Sequence, residues 1–256
     1  MSTTTKMEFA VEMTCQACVD KVNRVLGSRK DVKSFSVNLE RQQVIIESSC
    51  ASDKMKDLLE STGKRAVLQG MGSAAGMIPL GAAVSQVHGG EGWEKGVGCI
   101  QGVIRFVQTT PDCCVVEGTV DGLTPGQHAV RVHENGDLSE GCESCGDVLD
   151  LPKENLKSKL YGDLHTFAAS PRGRGQFHFT SATLQVWELI GRSLVIHEET
   201  NSKRVACGII ARSSGLYQND KKICACDGIV LWDERDHPVA GPLRKQKLEK
   251  SSSAQL

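Results

Sequence analysis

Residues 9–27, FAVEMTCQACVDKVNRVLG, set two cysteines, Cys15 and Cys18, between two kinds of periodicity. Upstream, Met7, Phe9, Val11 and Met13 alternate, which is the period of a strand with one buried face. Downstream, Val19, Val22, Val25 and Leu26 recur at the spacing of an amphipathic helix that Gly27 ends. The thiols therefore fall on a strand-to-helix loop. There they could be a redox pair, half of a zinc site, or a two-armed carrier for one soft metal ion.

The pattern continues outward from that loop. Phe35, Val37 and Leu39 predict a second strand, and Val44 and Ile46 a third, joined by Glu40 to Gln42. Met55, Leu58 and Leu59 mark a second helix with Ser52 as its cap and Gly63 as its stop, followed by a short strand near 66–68. The order βαββαβ over residues 5–69 is that of a ferredoxin-like sandwich. Residues 70–84, rich in Gly and Ala and without periodicity, read as a linker. Over 85–218 the pattern is all-β: short runs such as CIQGVIRFVQ, CCVVEGTV, HAVRVHE, QFHFT, SLVIHEE and VACGIIA, separated by turn signals, predict a sandwich or barrel. Residues 219–256 carry Cys224-Ala-Cys226 and run out into a polar tail expected to be disordered. No internal repeat is visible.

Thirty Lys and Arg against 31 Asp and Glu leave a net charge of -1, so no global field draws the chain to nucleic acid or to an anionic membrane, and neither is expected as a partner. No run of 18 apolar residues is present. The opening MSTTTKMEF has neither the apolar core of a signal peptide nor the Arg-rich character of a transit peptide. The expectation is a cytoplasmic protein, with a plastid or other organelle form left open.

Eleven cysteines are many for such a protein, because cytosolic thiols are kept reduced and structural disulfides are rare there. Metal binding or redox chemistry is the better expectation. Cys15/Cys18, Cys142/Cys145 and Cys224/Cys226 are close pairs, whereas Cys50, Cys99, Cys113, Cys114 and Cys207 stand apart, and Cys113 and Cys114 point to opposite strand faces. At the head of a helix, Cys15 and Cys18 meet free N–H groups and the positive end of the dipole, which favour thiolate. Thiolates select Cu(I). A closed zinc site needs four ligands, and the next pair lies 124 residues beyond Cys18, so zinc is disfavoured.

The sequence MTCQAC on a βαββαβ unit resembles the heavy-metal-associated domain of copper carriers, with the motif Met-x-Cys-x-x-Cys. The resemblance implies Cu(I) on Cys15 and Cys18 alone, with Met13 turned inward. GQHAVRVHENGDLSEGCESCG, YGDLHTF, IGRSLVIHEE and RVACGII resemble the Greek-key barrel of copper/zinc superoxide dismutase. On that likeness His133 and His197 occupy copper-ligand positions and Asp163 a zinc-ligand position, a vestigial set. Arg131 stands where a third copper histidine belongs, Val148 replaces the bridging histidine, and Leu160 replaces a zinc histidine. The likeness further implies a Cys142–Cys207 disulfide and a retained Arg204. With Cys224-Ala-Cys226 behind both parts, the chain resembles the copper chaperones for superoxide dismutase.

That resemblance implies a metallochaperone: Cu(I) taken up on Cys15/Cys18 from an upstream donor, and a barrel that docks on the dismutase as a heterodimer. Cys224/Cys226 would deliver the ion and form the client's disulfide. A self-complementary interface would also permit a homodimer. The rival readings are a divergent dismutase and a thiol oxidoreductase. His88, His128, His165, His178 and His237 are expected in turns or on the surface, and Trp93, Trp187 and Trp232 at element edges.

Overall fold

The computed structural model describes residues 3–73, 81–91, 98–152, 160–219 and 230–234. These form two compact units, one of 3–73 with 214–219 and 230–234, the other of the described residues in 81–213.

In the first unit, β1 (Thr5–Val11), α1 (Gln16–Gly27), β2 (Val32–Asn38), β3 (Gln43–Ser48), α2 (Ser52–Glu60) and β4 (Ala66–Ser73) give an antiparallel sheet in the order β2-β3-β1-β4. β1 is central because its odd residues, Met7, Phe9 and Val11, are wholly buried. Val22 and Leu26 of α1 and Met55 and Leu59 of α2 are buried with them. Burying each such side chain contributes about 1.5–3 kcal/mol, so this small core depends on every one.

Two local expectations change. Ser52 does not cap α2: Ala51 is the N-cap, no side chain caps it, and Ser52 is the first helical residue, buried. β4 runs on to Ser73, into the segment that reads as a linker from sequence. Gly63 ends the α2 region as its composition suggests, at φ 79 with its N–H on the Glu60 carbonyl at 2.9 Å.

The second unit is a closed antiparallel barrel in the order β10-β7-β6-β5-β12-β11-β8-β9. Its strands are β5 (Ala82–Gly89), β6 (Ile100–Thr110), β7 (Cys113–Asp121), β8 (Gly126–His133), β9 (Asp163–Ala169), β10 (Gly175–Ser181), β11 (Ser193–Glu198) and β12 (Arg204–Arg212). A short α3 (Val186–Leu189) precedes β11. Ile104, Phe106, Val116, Val130, Val132, Leu194 and Ile196 fill the interior. Closure leaves no unpaired edge. β5 and β9 are strands that the sequence pattern does not announce. β5 begins inside the Gly/Ala-rich stretch, and β9 opens on Gly162-Asp163 with only Phe167 and Ala169 fully buried.

Candidate metal centre

The loop between β1 and α1 places Cys15 as the N-cap of the helix, in extended geometry, and Cys18 in its first turn. Cys15 is exposed and Cys18 buried. Their sulfurs stand 3.4 Å apart, and the Cys18 N–H donates to the Cys15 carbonyl at 3.0 Å. Met13 is buried, as its motif position implies, and its carbonyl accepts Gln42 Nε2 at 3.0 Å. The first turn of α1 has no acidic residue to oppose a thiolate.

Hydrogen bonding sets the charge of this pair. The Thr14 backbone N–H, then the Cys15 side chain, and less strongly the Thr14 hydroxyl at 3.8 Å, act on Cys18 Sγ, and they lower the Cys18 pKa from the ordinary 9.0 to about 6. Near neutral pH Cys18 is therefore mostly thiolate, the form that binds a soft cation. Thr14 and Gln42 are functional residues that sequence reasoning passes over. Thr14 acts through a loop N–H whose direction no pattern encodes, and Gln42 reaches Met13 from a turn at positive φ.

In the barrel, the β8–β11 ladder pairs His133 with Ser193 and His197 with Ala129, yet the two imidazoles meet, with Nε2 atoms 3.0 Å apart and rings stacked at 5.2 Å. His133 Nδ1 is 2.9 Å from the Gly146 carbonyl, and His197 Nδ1 is 3.1 Å from that of Ser202. The two carbonyl contacts and the Nε2–Nε2 contact together call for three hydrogens, one more than two neutral rings carry. Burial, with Arg131 and Arg204 nearby, lowers both pKa values, that of His197 to about 4.

The other vestigial positions are closed. Arg131 Nε donates to Asp163 Oδ1 at 3.2 Å, and its NH2 lies 3.5 Å from Glu199 Oε2. Val148 forms a β-bridge with His133 and offers no donor side chain, and Leu160 is exposed. Among the described residues no group of three or more His, Cys, Asp or Glu is placed to hold a metal ion.

The thiols outside the loop are sorted by burial. Cys142, in a 3-10 turn (Gly141–Cys145), is joined to Cys207 of β12 in a disulfide with a Cα–Cα separation of 5.6 Å. This is the pairing that the family resemblance implies, and Cys145, close to Cys142 in sequence, is a buried free thiol, its pKa raised by desolvation. Arg204 donates to the carbonyls of Cys142 and Gly146, each at 2.8 Å, and so fastens the disulfide loop to β12. Cys113 is half-buried and Cys114 fully buried, the latter pushed up to about 12 by burial. Cys224 and Cys226 lie outside the described residues, as do His237 and Trp93.

The remaining histidines are expected in turns or on the surface, and the described ones lie in strands rather than turns. His88, His128, His165 and His178 all lie within strands; His128 is buried with Nε2 2.8 Å from the Thr124 carbonyl, and His165 stacks on Phe179 at 4.7 Å. His178 is exposed, as expected of a surface histidine, and His88 and His165 are half-buried. Trp187 is exposed on α3.

Residues 8–65 match the heavy-metal-associated domain, and residues 100–210 match copper/zinc superoxide dismutase. A protein of Mus musculus named copper chaperone for superoxide dismutase is 42% identical over 95% of this chain and 93% of its own length. The protein of the same name from Homo sapiens is 42% identical over the same shares. A Candida glabrata protein named superoxide dismutase 1 copper chaperone is 32% identical over 89% of this chain and 92% of its own.

Proposed function

The chain belongs to the copper chaperones for superoxide dismutase, and from that premise we propose how its parts divide the work. Its function is to carry copper to copper/zinc superoxide dismutase, as a metallochaperone and not as an enzyme. Cys15 and Cys18 take up the ion as Cu(I). The observation that carries this reading is the sulfur pair itself, 3.4 Å apart at a helix N-terminus, with Cys18 lowered to about 6 and Cys15 exposed. Two thiolates satisfy a soft monovalent ion. The exposed sulfur leaves a side on which an incoming thiolate can attack, so that cargo leaves by ligand exchange.

The barrel docks on the dismutase, forming a heterodimer through a surface that imitates the enzyme's own subunit contact. Ile209 of β12, 43% exposed, is an apolar side chain available to such a contact. Arg131 supports docking over catalysis, since its guanidinium sits against Asp163 where a copper histidine would be needed. Cys224 and Cys226 pass copper into the client. If they arrive as a disulfide, one client thiolate attacks it and a second resolves the mixed disulfide. The client is then oxidised by two electrons and the tail pair reduced to two thiols.

The test is copper delivery to apo-dismutase by three variants, with Cys15/Cys18, Cys142/Cys207 or Cys224/Cys226 changed to Ser. The first and third lose delivery; the second retains copper binding but docks less firmly. Full delivery by the Cys15/Cys18 variant at limiting copper, or rapid dismutation by the copper- and zinc-loaded chain alone, overturns the reading.

A further inference from the structure

The first unit has a face that the helices do not cover. Along β1, Met7, Phe9 and Val11 turn to the helices, so Lys6, Glu8 and Ala10 turn to the other side. Glu8 is nevertheless only 1% exposed and Ala10 5%. A carboxylate on a bare sheet face would sit in water; something covers it.

The cover is the chain's own C-terminal part. Across the β1–β4 ladder, Gly70 lies opposite Glu8 and Gly72 opposite Lys6. A Cβ on Gly70 would overlap the Gly215 carbonyl, and one on Gly72 would meet Leu216 Cδ1 at 3.0 Å. Both strand glycines make room for a crossing backbone. The Tyr217 N–H donates to Glu8 Oε2 at 2.6 Å, while Gln43 Nε2 donates to Glu8 Oε1 at 2.5 Å. The Asn219 amide donates to the Gln69 carbonyl at 3.4 Å.

A second attachment follows eleven residues later. Leu231, 8% exposed, and Trp232 belong to a short α4 (Leu231–Glu234) and border a cavity of about 220 Å³ with Ala10, Arg41, Gln42 and Gln69. Arg65 donates to the Trp232 carbonyl at 3.5 Å and pairs with Asp233 at 2.8 Å. The ion pair is exposed and contributes little; the burial of Leu231 supplies the larger share.

We propose that this sheet face is a docking surface for residues 214–219 and 230–234, a two-point clamp that keeps the Cys224/Cys226 pair tethered to the unit bearing Cys15 and Cys18. The proposal rests on the reading above that both pairs handle copper. Cys224 is five residues from Asn219 and Cys226 four from Val230. Gln42, in the wall of the second anchor, also holds the Met13 carbonyl two residues before Cys15. Anchoring the chain on both sides of the tail pair raises the effective concentration of its thiols at the first unit.

Hydrogen exchange on the full-length chain tests the clamp. Gly70→Val blocks the crossing without touching the tail, and Leu231→Asp removes the second anchor without touching the sheet. Each is expected to speed amide exchange at Tyr217 and across 230–234 at least tenfold, with α1 and the barrel strands unchanged, and to lower delivery to apo-dismutase several-fold at submicromolar chaperone. Unchanged tail exchange in both variants overturns the clamp. Faster tail exchange with undiminished delivery overturns the tether. Failure of the parent reading is read separately, as full delivery by Cys15/Cys18→Ser.

Discussion

At the scale of single residues, the chemistry of the carrier loop resides in one proton. Cys18 holds a pKa of about 6 chiefly because the Thr14 N–H points at its sulfur. A depressed acid is deprotonated above its folded value, so the thiolate persists from alkaline pH down to about 6 and is lost below it. Copper affinity should be nearly indifferent to this proton above pH 6 and fall about tenfold per pH unit beneath it. Thiolate absorbance near 240 nm should show a step centred near pH 6 in the apo chain, absent from Cys18→Ser. A first step near pH 9 would contradict the Thr14 assignment. The two sulfurs are legible in the sequence because spacing and periodicity fix where they stand. Their ionisation is not, because it depends on one backbone direction in a loop. The same holds for Cys145, which looks like half of a chelating pair yet lies buried beside a bond it does not join.

At the scale of elements, the strands and helices with a strong period are legible, and those held by tertiary context are not. α1 ends at Gly27 as its stripe requires. β4 continues past its expected end because Gly70 and Met71 pair with Glu8 and Met7, and a glycine-rich composition conceals that ladder. β9 pairs along β8 from Gly126 to Arg131 although its own residues carry weak strand preference. The Cys142–Cys207 disulfide links a turn to β12 across 65 residues, a connection that the family resemblance carries and no local pattern contains. Closing a loop of that length restricts the unfolded chain by about 4 kcal/mol in the entropic account. Reduction should lower barrel stability by an amount approaching that figure, measured by denaturant unfolding with and without reductant. A midpoint unmoved by reduction would mean the Arg204 bonds to Cys142 and Gly146 hold the loop unaided.

At the scale of the whole molecule, a metal-binding sandwich, a barrel and a thiol-bearing tail are each recognisable from motif and periodicity. The return of residues 214–219 and 230–234 to the first sheet is not, since its signals are two glycines and a buried glutamate scattered along the chain. The barrel invites a prediction of its own. At one corner the Arg131 guanidinium is salt-bridged to Asp163 and supplies a fixed positive charge there. Exhaustive chelation should leave the thermal midpoint of the barrel within about 2 °C of the untreated chain, and a fall of 10 °C would reveal a structural ion.

Arginine keeps its charge at any physiological pH, and no chelator, oxidant or competing cation can strip it from the corner it shares with Asp163. This corner of the barrel thus keeps its charge during metal starvation as in plenty, and under the docking proposed above it is the same surface that meets an empty client or a filled one.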